Sequence, residues 1–147
     1  MKKIIFASLF LFNIILISCT KEDASDPSSP STPSSDARDA FVATWTVTEN
    51  STTSSTPIGY FVTISKQTSS SNAIVINNFY GYNTYSVSAT VNGNFFNIPY
   101  QSIKNNTNST IGFAIGSGTL TTSTKINITY TTSISGSRDS CVSVFTK

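Results

Sequence analysis

The sequence predicts an all-β protein, a small up-and-down antiparallel barrel of about eight strands. Three observations predict it. Apolar residues recur at every second position through most of residues 41–146, the period of a half-buried strand. Ser and Thr number 48 of the 147 residues, and together with Tyr, Phe, Ile and Val they favour strands over helices. No stretch carries a helical apolar period long enough for a βαβ crossover, which leaves antiparallel pairing. A two-sheet β-sandwich is the runner-up. Closure is favoured because the polar faces carry Thr and Ser rather than Lys and Glu, so charge protects the edges little.

Each element follows in order. Asp36-Ala37-Arg38-Asp39 suits one helical turn with Asp36 as N-cap. Phe41, Ala43, Trp45 and Val47 then alternate with Val42, Thr44, Thr46 and Thr48 as a first strand. Ile58, Tyr60, Val62 and Ile64 make a second, opened by Pro57 where a missing N–H is tolerated. Residues 73–78 form a third, centred on Ile74, Val75 and Ile76, and Tyr85, Val87, Ala89 and Val91 a fourth. Asn92-Gly93-Asn94 reads as a tight turn, since Asn-Gly readily adopts positive φ. Residues 95–100 are a fifth strand, with Phe96 and Ile98 on one face and Pro99 marking an edge or bulge. After a polar loop at 105–109, Ile111, Phe113 and Ile115 oppose Gly112, Ala114 and Gly116 on a sixth. Residues 119–131 read as the seventh, with Ile126, Ile128 and Tyr130, and residues 138–146 as the eighth.

What precedes residue 36 reads as targeting and tether. Lys2 and Lys3 open a run at 4–17 that is apolar except for Ser8 and Asn13. This is the length of a signal-peptide core, and short for a bilayer of about 30 Å. It ends in Leu16-Ile17-Ser18-Cys19, which resembles the bacterial lipobox. The resemblance implies cleavage before Cys19, a diacylglycerol thioether on its sulfur and acylation of the new amino terminus. Residues 1–18 are then the signal, 19–35 a lipidated Ser/Pro-rich tether, and 36–147 the barrel. The tether holds Pro27, Pro30 and Pro33 among serines and acids, with no aromatic residue to offset its ordering entropy. Its Lys21-Glu22-Asp23 resembles the export signal of surface-displayed Bacteroidetes lipoproteins, and equally suits a generic linker. The expected location is the bacterial outer membrane, lipid-anchored, with the domain periplasmic or surface-exposed.

Composition narrows the chemistry. The formal charge of +2 falls to zero from Cys19 onward, seven cations against seven acids, so no basic field for nucleic acid is expected. Without His there is no Ser-His-Asp or Cys-His system and no imidazole metal site. Residues 40–147 hold two acids, Glu49 and Asp139. They are expected at different ends of the barrel, in a salt contact or in solvent, and not as a catalytic pair. No metal site, cofactor or catalytic residue is expected. If Cys19 carries lipid, Cys141 has no partner within the chain and reads as an inert core thiol. Gly112, Gly116 and Gly118 lack the Lys-Ser/Thr of a phosphate loop and read as relief of crowding.

Phe41-Val42-Ala43-Thr44-Trp45 and Arg138 carry a second resemblance. Lipocalin- and calycin-like barrels place Gly-x-Trp on the first strand, here with Ala43 at the glycine position, and stack a basic residue of the last strand over the indole. The chain is similar over residues 36–147 to small Bacteroidetes lipoproteins with such a domain. The resemblance implies that Arg138 covers Trp45 and closes one barrel end; it brings no catalytic residue. Phe79-Tyr80-Gly81-Tyr82-Asn83-Thr84-Tyr85 offers either an aromatic platform for a ligand or a Phe79 plug rimmed by tyrosines. Trp45, Tyr60, Tyr80, Tyr82 and Tyr85 are the candidate ligand-binding residues. The expectation is a membrane-anchored, non-catalytic binding or interaction domain for a small apolar ligand or a glycan. A displayed carbohydrate-binding sandwich and a structural or inhibitory envelope protein are the alternatives.

Overall fold

The computed structural model describes residues 36–105 and 107–147. The signal segment, Cys19 and the tether lie outside the described residues. The strands are β1 (Ala43–Ser51), β2 (Ile58–Lys66), β3 (Ala73–Asn77), β4 (Ser86–Asn92), β5 (Phe95–Lys104), β6 (Thr110–Thr122), β7 (Lys125–Ile134) and β8 (Ser137–Thr146). Each pairs antiparallel with its successor, and β1 pairs with β8 from Thr46↔Thr146 to Ser51↔Cys141. The sheet is therefore a closed up-and-down barrel, not a sandwich, and closure pairs every strand on both sides.

Period-2 alternation decides what fills it. Trp45, Val47, Val62, Ile64, Ile126 and Phe145 all point inward and are sealed from solvent. Gly118 makes room for a large neighbour. A Cβ there would stand 2.3 Å from the Phe96 ring, so the fully buried aromatic occupies space that only glycine leaves. The interior is thus a packed core, as small eight-stranded barrels allow.

Two irregularities have local causes. β5 and β6 change register between Ile98 and Gln101, around Pro99, which has no N–H to donate. Across the matching shift on β4, Gln101 substitutes for the ladder. Its Oε1 accepts from the Ser88 amide at 2.9 Å and its Nε2 donates to the Ser88 carbonyl at 2.6 Å. The stretch 119–131 is not one strand. It contains the β6–β7 hairpin turn, between the paired residues Thr122 and Lys125. The polar run Thr121 to Thr124 continues the strand's composition and lacks Gly, Pro or Asn to mark the turn.

The barrel has two unlike ends. At the first, a 3₁₀ turn at Ala37–Ala40 is N-capped by Asp36, which accepts from the Arg38 amide at 3.0 Å. Phe41 follows, meets Phe96 edge-on at 5.5 Å, and accepts the Trp45 indole N–H at 2.8 Å. Lys147 Nζ lies 4.4 Å from the centre of the Trp45 ring. Arg138 therefore does not cover Trp45. Antiparallel pairing of β1 with β8 sets the end of β8, not its start, beside Trp45, and sends Arg138 to the opposite end of the barrel. Its exposed side chain belongs to the outer face, one position out of phase with the inward row of β8.

Candidate functional site

The second end is polar inside. Glu49 has the same parity on β1 as Trp45 and Val47, so the alternation that buries those two buries the carboxylate as well. It is 1% exposed. Asp139, 3% exposed, shares the inward row of β8 with Cys141, Ser143 and Phe145. The expected separation of the two acids does not hold, nor does a salt contact or solvent exposure. In an antiparallel pair the end of one strand lies beside the start of the other, and here those are the ends that carry Glu49 and Asp139.

Hydroxyl groups take the place of cations around both acids. Tyr60 and Ser143 donate to Glu49 Oε2 at 2.7 and 2.8 Å, and Tyr130 donates to the same oxygen. Asp139 accepts from Ser51 at 2.5 Å, from the hydroxyls of Thr52 and Thr53 at 2.8 and 3.0 Å, and from Tyr80 at 2.6 Å. Burial opposes the Asp139 charge, yet the hydrogen bonds from Ser51, Tyr80, Thr52 and Thr53 outweigh it and hold the carboxyl well below the usual range. Burial, followed by the Glu49 charge, pushes the Tyr60 hydroxyl far up. Burial and then the neighbouring Tyr60 and Glu49 do the same to Tyr130. Both phenols thus remain protonated donors. Burial, with the Glu49 charge second, pushes the Cys141 thiol up to about 12, which suits an inert thiol.

Phe79 and its followers roof this end. Phe79 is buried against Tyr130, ring centres 4.7 Å apart. Asn78, Tyr80 and Gly81 all have positive φ, which folds residues 78–81 tightly over the opening. For Tyr80 that conformation is costly by about 1 kcal/mol or more. Its hydroxyl bond to Asp139 and its edge-on packing against Tyr130 at 6.3 Å hold it there. Tyr82 stacks on Tyr80 at 6.0 Å and on Tyr85 at 4.6 Å. Between this roof and β2 lies a cleft of about 280 Å³, lined by Glu49, Ile58, Gly59, Tyr60, Tyr80, Gly81 and Tyr82.

The structure therefore brings Tyr60, Tyr80 and Tyr82 together and adds Glu49 to them. Tyr85 supports Tyr82 from behind without lining the cleft. Trp45 is sealed in the core beside the other end and lines none of it. Arg138 instead borders a concavity on the outer face of β5 to β8, with Tyr100, Phe113 and Ile115. Glu49, Tyr130, Asp139 and Ser143 were missed as a group; their parity with Trp45, Val47, Ile128 and Phe145 was the available signal. Among the described residues no group of three or more His, Cys, Asp or Glu could hold a metal ion.

Comparison with protein-family models and with curated proteins finds no match. Among solved structures, a redesigned β-barrel is similar to this chain with a TM-score of 0.49 and 15% identity, over 76% of this chain and 95% of that one.

Proposed function

We propose that the protein is a lipid-anchored, non-catalytic binding domain of a bacterial cell envelope, which takes a small ligand in the cleft under Tyr80 and Tyr82. The anchor is supported by the lipobox-like Leu16-Ile17-Ser18-Cys19. Cys19→Ser should abolish incorporation of labelled palmitate; labelling that persists in this variant contradicts the anchor.

The observation that carries the binding role is the cleft. A packed interior leaves the barrel no lipocalin-type cavity, so recognition belongs at an end or on a face. The cleft joins three aromatic walls to one buried carboxylate. Catalysis by paired carboxylates fits poorly. Both carboxylates are already taken up by hydroxyl donors, Glu49 by Tyr60, Tyr130 and Ser143 and Asp139 by Ser51, Thr52, Thr53 and Tyr80.

A glycan is the second reading, on the outer face. Tyr100 is 67% exposed and stacks nearly parallel on Phe113 at 5.2 Å, a flat aromatic surface beside Arg138. Amide-shift mapping of the full chain with alkylamines, fatty acids and saccharides separates the two. Shifts concentrated at Glu49, Gly59, Tyr60 and Gly81 support the cleft. Shifts around Tyr100 and Phe113 with saccharides support the glycan reading, and a silent spectrum with every probe overturns both.

A further inference from the structure

We propose that the cleft recognises a small organic cation bearing N–H groups, an alkylammonium or a guanidinium, with Glu49 Oε1 as its counter-ion. This rests on the cleft being the ligand site. All three hydrogen bonds to Glu49 fall on Oε2, and no described residue donates to Oε1. The little exposure Glu49 has is toward the cleft it lines. Oε1 is not among the buried atoms left without a partner, so it is open to the cleft, where a charged N–H donor is its best partner.

Among the described residues no cation fills that role. The ion pairs among the described residues join Arg38 and Lys66 to Asp36 and Asp39, at the Trp45 end. Glu49 and Asp139 are thus two internal acids at one end with hydroxyl partners and no ion-pair partner among the described residues. Arg138, next to Asp139, faces outward, so the inward-facing charge at the opening is negative and favours a cation. The walls fit the same ligand. Tyr60, Tyr80 and Tyr82 surround the opening, and aromatic faces attract ammonium and guanidinium groups. A neutral polyol is served poorly, because the Tyr60 and Tyr80 hydroxyls already donate to Glu49 and Asp139. A bare metal ion is served poorly too, since a hard cation wants about six or more oxygen ligands. The free oxygen needs a donor, which separates N–H cations from quaternary ones.

The test is calorimetric titration of the full chain with butylammonium, with its neutral counterpart butanol, with tetramethylammonium and with a lysine blocked at both backbone ends. Butylammonium should bind at least about tenfold more tightly than butanol or tetramethylammonium, a difference of about 1.4 kcal/mol or more. Glu49→Gln should remove that preference. Tyr82→Ala, at a position 53% exposed, should weaken butylammonium by about three- to tenfold while the protein stays folded at the titration temperature. Blocked lysine binding as tightly as butylammonium supports a lysine side chain of a partner protein as the natural source, and weaker binding supports a free amine. Butanol binding in the cleft as well as butylammonium overturns the cation and leaves the cleft standing. Tetramethylammonium matching butylammonium overturns the N–H requirement. Cleft amides unmoved by any probe overturn both the cation and the cleft.

Discussion

Asp139 meets six donated groups, the Cys141 thiol among them, and no ion-pair partner among the described residues, so its stabilising effect depends on hydrogen bonds to its charged form. Its folded carboxyl titrates below the unfolded value of about 3.9, so its contribution is fully present above that pH and is lost as pH falls toward the depressed folded value. Asp36 shares the direction, held low by Arg38 and Lys66, so a single variant is needed to isolate Asp139. Asp139→Asn should cost about 1–3 kcal/mol at pH 7 and flatten the loss of Tm between pH 5 and pH 2. Parallel pH–Tm curves for the two proteins would contradict this. Cys141, with its thiol raised to about 12, should resist iodoacetamide at pH 8 in the native protein and react once urea unfolds it, as mass spectrometry reads directly. At the other end, Lys147→Ala should cost about 0.5–1 kcal/mol and shift Trp45 emission, whereas Arg138→Ala should leave both unchanged.

At the scale of elements, alternation within strands was legible and its consequences were only partly followed. The row Phe41, Ala43, Trp45, Val47 announces β1, and the same count of two reaches Glu49. The expectation of a salt contact or solvent for Glu49 runs against the register that buries it. The row of β8 likewise places Arg138 outward and Asp139 inward. The turn inside residues 119–131 left no trace, because threonines and serines fill strand and turn alike there. The fit of Phe96 over Gly118 joins β5 to β6 and is open to test. Gly118→Ala should destabilise the barrel by about 1–3 kcal/mol through overpacking. Combined with Phe96→Leu it should cost less than the sum of the two single changes, since the smaller ring-free side chain gives way to the new methyl. Additive costs in urea unfolding would show that the two positions do not share space.

At the scale of the whole molecule, closure and filling together set where the proposed binding site can lie. Eight strands that bury both long edges and pack their axis with Trp, Phe, Ile and Val leave the ends and the outer faces as the places where a ligand could meet the domain. One end is closed by Phe41, Trp45 and Lys147, and the other gathers acids, phenols and the roof at residues 78–82. The barrel, its strand count and the tyrosine cluster were legible because they rest on local periodicity and composition. The pairing of that cluster with Glu49 was not, because it depends on which strand ends meet across a closed sheet. The most direct test is a crystal structure of the full chain soaked with butylammonium. The account predicts ligand density beneath Tyr82 with its nitrogen within hydrogen-bond distance of Glu49 Oε1. Density on the Tyr100–Phe113 face with an empty cleft, or no ordered ligand at concentrations that saturate the calorimetric signal, would contradict it.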